Sequence, residues 1–307
     1  MKTSLIRALV LYSLLTAFVT GSSPAQDTLT VNIPAALDNT LVESPGGDLS
    51  NGIGTFFFVG RTGFINNTLR RGVLAFNVTD SIPAGSLIIS AELKLHMSKT
   101  NSAASTVNMY RILSKWGEGS SDAAANEGGG APSQPGDATW IHTLFDTDFW
   151  NTAGGDFFAT PSASTSVNAI GFYSFGPTVQ TAANVQLWLD DPDTSFGWIL
   201  IGDEVTLGSA KRFDTRENIT AANRPILTVS FVPPPCCIVN RGDANNDGND
   251  ANILDLTFLV NRIFRFGPAP ACYREADVNS DGNSGNILDL NFLVNRIFRF
   301  GPAPGPC

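Results

Sequence analysis

Between positions 91 and 97, apolar Ala91, Leu93, Leu95 and Met97 alternate with polar Glu92, Lys94 and His96. A period of two puts the two sets on opposite faces of an extended chain, so the segment predicts a strand with one buried face. Shorter apolar runs at 29–33, 55–59, 73–78, 107–112, 197–201 and 226–231, separated by turn-forming residues, predict further strands. The stretch 182–189, ahead of Asp190-Asp191-Pro192, predicts a short helix covering an end of the sheet. Residues 26–232 otherwise carry hardly any helical period. Many short strands with irregular loops predict a mostly β fold, an antiparallel β-sandwich of jelly-roll type.

The period changes after Pro233-Pro234-Pro235, and residues 233–237 read as a short, stiff linker. Leu256, Leu259, Val260, Ile263 and Phe264 then recur at helical spacing, as do Leu290, Leu293, Val294, Ile297 and Phe298. Each set predicts a helix with one buried stripe. Residues 243–270 and 277–304 are in fact one segment written twice. Gly267-Pro268 and Gly301-Pro302 are expected to end the helices, with glycine as the left-handed cap. Residues 238–307 thus predict a small all-α module of two loop–helix repeats, too small to hold a sizeable core alone.

The loop ahead of each helix carries the chemistry. Asp243, Asn245 and Asp247, and again Asp277, Asn279 and Asp281, place oxygen side chains at alternate positions before Gly248 and Gly282. That is the pattern of an EF-hand-type loop. Asn249 and Asn283 follow, and Asp255 and Asp289 sit where each helix starts, placed to close the shell. Hard oxygens at this spacing predict two Ca2+ ions, one per loop, supplying much of the folding free energy of the tail. The ninth loop residue is Ala251 or Gly285, so a backbone carbonyl, a water, Asp250 or Asn252 must serve there.

The duplicated pattern closely resembles a dockerin, the paired-repeat calcium module that plugs into cohesin domains on scaffold proteins or cell surfaces. It departs from the family in placing its closing Asp at loop position 13 rather than 12. The resemblance implies a cohesin-like partner. It also implies that Asn261-Arg262 and Asn295-Arg296, at equivalent places on the two helices, contact that partner about a pseudo-twofold axis.

At the other end, Lys2 and Arg7, an apolar run from Ala8 and then Ser23-Pro24-Ala25 read as a secretory signal peptide over residues 1–25. No later apolar segment reaches the ~20 residues of a membrane span, so a secreted protein, extracellular or at the cell surface, is expected. Removing the signal takes away two positive charges and moves the net charge from −9 to −11, which argues against a nucleic-acid partner. Cys236, Cys237, Cys272 and Cys307 bracket the two repeats, and in an exported chain they read as disulfides. Three pairings are open, of which a vicinal Cys236–Cys237 bond would be strained. The dockerin resemblance implies chain ends that lie close together, hence Cys307 with one of the vicinal pair and Cys272 with the other.

Several phrases in the first part resemble the DNRLRE domain, a secreted β-sandwich related to carbohydrate-binding modules and found beside polysaccharide lyases and hydrolases. They are Asp38-Asn39-Thr40-Leu41, Arg71-Gly72-Val73-Leu74-Ala75-Phe76, Ile82-Pro83-Ala84-Gly85, Trp116-Gly117-Glu118-Gly119, Val185-Gln186-Leu187-Trp188-Leu189 and Phe213-Asp214-Thr215-Arg216-Glu217. Trp188 and Trp198 lie in apolar segments and are expected in the core. Trp116, Trp140 and Trp150 lie in Gly/Asp/Asn-rich surroundings, where an exposed indole can stack on a pyranose ring. The alternative for these three is anchorage of the long 114–160 segment. Arg216-Glu217 reads as a structural ion pair. His96 and His142 belong to no Ser/His/Asp or zinc-spaced motif. The expectation is therefore a non-catalytic carbohydrate-binding or surface protein held to a cohesin-type partner by its tail. The alternatives are a small polysaccharide lyase or glycoside hydrolase tagged for assembly, and a structural cell-surface spacer.

Overall fold

The computed structural model describes residues 28–66, 68–234, 236–237 and 241–306. The expected signal peptide and Cys307 lie outside the described residues. The alternating segment becomes the longest strand, Leu87–Thr100, with Ala91, Leu93, Leu95 and Met97 buried. One edge of it pairs with Ile226–Val232 and then Lys211–Asp214, the other with Gly171–Phe175. Leu29–Pro34 extends this half beyond Ile226–Val232. Phe56–Arg61 pairs first with Lys211–Asp214 and then with Leu69–Ala75, carrying the ladder round a bend. Trp198–Ile201, Ser105–Arg111 and Ala163–Val167 follow in order, and Leu37–Val42 lies on the other side of Leu69–Ala75. Every one of these pairings is antiparallel, and the result is one large curled sheet.

Curling lets both halves of the sheet share a core. Leu93, Met97 and Leu227 from one half pack in the same cluster as Leu74, Trp198 and Met109 from the other. Helix α1 (Val179–Asp190), started by a capping box between Thr178 and Thr181, adds Trp188, whose ring meets that of Trp198 edge-on at 4.5 Å. The outer face of Trp198–Ile201 is covered too. Val73 and Ile199 lie beneath Leu41, Ile112, Trp116, Ala138 and Trp150, so the long 114–160 segment drapes over the sheet and is pinned to it. Burial on both faces explains why Trp198-Ile199-Leu200-Ile201 is a continuous apolar run instead of an alternating one.

In the tail, α2 (Ile253–Arg265) and α4 (Ile287–Arg299) pack through Leu259, Leu290 and Leu293, with the short α3 (Tyr273–Ala276) between them in sequence. Tyr273 rests on the sheet, its ring 5.8 Å from that of Phe231 and its hydroxyl donating to the Ser81 carbonyl at 3.2 Å. Cys236 is bonded to Cys272 across a sequence separation of 36, which rules out the vicinal bond, and Cys237 is disulfide-bonded as well.

The left-handed caps fall one residue earlier than expected, on Phe266 (φ 56°) and Phe300 (φ 54°). Gly267 and Gly301 are required for space: a Cβ on either would lie 3.0 Å from the carbonyl carbon of Asn261 or Asn295. No helix among the described residues is long and apolar enough to cross a membrane.

Candidate metal loops

Each tail loop is organised by its own aspartates. Asp243 accepts from the backbone N–H groups of Asp247 (2.9 Å) and Gly248 (2.7 Å), and Asp277 accepts from those of Asp281 (3.0 Å) and Gly282 (3.2 Å). Gly248 and Gly282, at φ 87° and 85°, make the turn that brings those amides inward. Asp247 accepts from the amides of Asn245 and Asn249, and Asp281 from the side chain of Asn279 and the backbone of Asn283. These bonds hold the Asp247 and Asp281 carboxyls below the usual carboxylate range.

Asp255 and Asp289 have two tasks. As the third residue of its helix, each accepts from the N-cap Asn252 or Asn286 in a capping box. The other oxygen accepts from the backbone of Asn245 or Asn279, at 3.3 Å in both loops, so the carboxylate spans loop and helix. Both are fully buried, and burial first, then the nearby aspartates of the loop, push both carboxyls up to about 6. A buried carboxylate held beside two others concentrates negative charge, which is the condition a cation relieves. The donors are all oxygen, matching a hard cation of the calcium kind. Of the second loop's carboxylates, Asp277 also carries a guanidinium, Arg241, at 2.5 Å.

At the ninth loop position the repeats differ in residue but not in backbone. Ala251 (φ 52°) and Gly285 (φ 64°) are both left-handed, and their N–H groups donate to Gly242 and Ala276 at 3.0 Å.

The residues expected to meet a partner stay partly or fully exposed while bonding within their own repeats. Arg262 and Arg296 donate to the carbonyls of Gly267 and Gly301 at 3.2 Å, and Asn261 and Asn295 accept from Arg265 and Arg299 at 3.4 Å. The tail also exposes a repeated apolar set, Ile253, Leu254, Phe264 and Phe266, matched by Ile287, Leu288, Phe298 and Phe300; Phe264 and Phe298 were expected in the buried stripes and instead lie past them, in the last turn of each helix. The two terminal phenylalanines are fully exposed. A left-handed non-glycine residue costs about 1–2 kcal/mol, so two such exposed rings in the same strained place are notable.

On the sheet, the tryptophans divide. Trp116 and Trp150 are buried, their indole N–H groups donating to the carbonyls of Phe196 (2.8 Å) and Thr139 (2.9 Å). They are anchors of the long segment and offer no face to a sugar, which corrects the stacking expectation for both. Trp140 is half-buried, with Arg71 4.9 Å from its ring and an open cavity of about 640 Å³ alongside, shared with Glu43, Asn66 and Ala153. His96 is held by Asp214 at 2.7 Å and the buried His142 by the Thr139 hydroxyl at 2.9 Å. No protein-family model matches the chain, and no curated protein matches it.

Proposed function

We propose that the chain is a secreted, non-catalytic carbohydrate-binding or surface protein. Its sheet acts as a jelly-roll-like β-sandwich similar to DNRLRE domains, and its tail as a dockerin-like module. Each tail loop holds one Ca2+ through Asp243, Asn245, Asp247 and Asp255, or through Asp277, Asn279, Asp281 and Asp289. Loaded, the two loops fix α2 and α4 so that their apolar residues face a cohesin-type domain. The observation carrying this reading is the duplication of one hydrogen-bonded acidic loop and of the exposed apolar set beside it. Unsatisfied apolar surface repeated at matching sites is what a partner covers. On the sandwich, Trp140 is the indole left with room for a pyranose.

Calorimetry of the full chain tests the tail: calcium binding in both loops is expected, lost one loop at a time in Asp247→Ala and Asp281→Ala. A calcium-dependent complex with a panel of cohesin domains, weakened by Phe266→Ala with Phe300→Ala, is the matching result for docking. Failure of both experiments would overturn the reading.

A further inference from the structure

Three sequence phrases far apart in the chain meet at one buried point of the sheet. Asp38 lies in Leu37–Val42 and is fully buried. Its backbone N–H donates to Glu118 at 2.8 Å, and one of its oxygens accepts from the backbone of Arg216 at 2.8 Å. The other oxygen, Oδ1, is buried with no hydrogen-bond partner among the described residues. Glu118, also buried, is gripped by the Arg216 guanidinium through both oxygens, at 2.7 and 2.6 Å. Glu217 takes a third contact from Arg216 at 2.9 Å, while its Oε2 is buried and unpartnered like that of Asp38. One oxygen from each of the three carboxylates lies within 4.8 Å of the others.

Three carboxylates and one guanidinium leave two negative charges uncompensated, and there are two orphaned oxygens. Buried carboxylate oxygens without partners are costly, and native proteins seldom leave them so. One divalent cation answers both counts. An ion bonded to oxygen at about 2.3–2.6 Å spans about 5 Å between opposite ligands, so a single Ca2+ can touch all three groups. The donors contain no nitrogen or sulfur, which disfavours zinc and copper. We propose that Asp38, Glu118 and Glu217 bind one hard divalent cation of the calcium class, at a site separate from the tail loops. Arg216 is its positioning residue, orienting two of the three ligands. The ion joins the Leu37–Val42 strand, the Glu118 end of the long segment and the turn after Lys211–Asp214, and so fixes that segment to the sheet.

The test uses the full chain, stripped with EDTA and titrated with calcium. Bound ions are counted by elemental analysis after desalting, for the parent and for Glu217→Gln and Asp38→Asn. Each variant is expected to hold one ion fewer than the parent, whatever number the tail loops take, so failure of the tail reading leaves this count readable. Folding of the variants is checked by near-ultraviolet dichroism. Independently, in a chain with Asp247→Ala and Asp281→Ala, calcium should slow amide exchange at 37–42 and 116–119 by tenfold or more. An unchanged ion count in a folded variant, or exchange unaffected by calcium in that chain, would show instead that protons on the carboxylates, and not a cation, relieve the cluster's charge.

Discussion

The indole of Trp150 shows how a residue's sequence neighbours mislead about its spatial ones. Asn151, Gly154 and Gly155 surround it in the chain, yet it packs with Leu41, Val73 and Ile199 and donates to the Thr139 carbonyl at 2.9 Å. Trp150→Ala and Trp116→Ala should therefore each cost about 3–5 kcal/mol through a cavity and a lost hydrogen bond, read as a drop in melting temperature. Trp140→Ala removes a half-buried ring packed on the same cluster, so it should lower the melting temperature less than either and weaken the proposed glycan retention on an array. Loop backbone gives a second contrast. Ala251→Gly relieves a left-handed alanine and should be neutral or stabilise the tail by up to about 1 kcal/mol, once the entropy of glycine is counted. Gly285→Ala should cost about 1–2 kcal/mol, since its Cβ would also lie 3.3 Å from Pro270. Chemical denaturation of the tail measures both. At this scale the duplicated acidic loops were legible, because their Asp, Asn and Gly recur at fixed spacing and bond to one another within a few residues. The orphaned oxygens of Asp38 and Glu217 were not, because their meeting depends on strands that are distant in sequence.

Among elements, those with a clean period or an apolar run were legible, and those with neither were not. The 91–97 alternation and both tail helices appear where periodicity put them. Leu37–Val42, Ala163–Val167, Gly171–Phe175 and Lys211–Asp214 carried no such signal. Leu37–Val42 buries Asp38, Asn39 and Thr40 within its pairing, so polarity there marks a network and not an exposed face. The helix starts carry a pH consequence. Asp255 and Asp289 are pushed up to about 6 without metal, above the ordinary carboxylate value near 4. Their protonated forms favour the folded, ion-free tail, an advantage present at low pH and lost as pH rises through about 6. In EDTA, protease resistance of residues 241–306 should therefore increase from pH 7 to pH 5. With the proposed Ca2+ bound the sign should reverse, because protons would compete for the same oxygens.

For the whole molecule, the tail meets the sheet through Tyr273 and the Cys236–Cys272 bond, while each part has a core cluster of its own. The two proposed binding activities should then separate: Asp247→Ala with Asp281→Ala should abolish the proposed cohesin binding while any glycan retention by the same chain stays within about twofold. Loss of both together would mean the parts are coupled. The disulfide has a mechanical consequence as well. It bridges 36 positions and encloses the first loop and α2, so tension entering at α4 reaches Cys272 and crosses the sulfur atoms to Cys236 without passing through that repeat. About 120 Å of chain, at roughly 3.4 Å per residue, is thereby hidden from stretching. Pulled against a surface by a shearing flow, the protein would keep its first repeat slack and intact until a reductant releases the stored length, which single-molecule extension with and without dithiothreitol would register as a longer final contour.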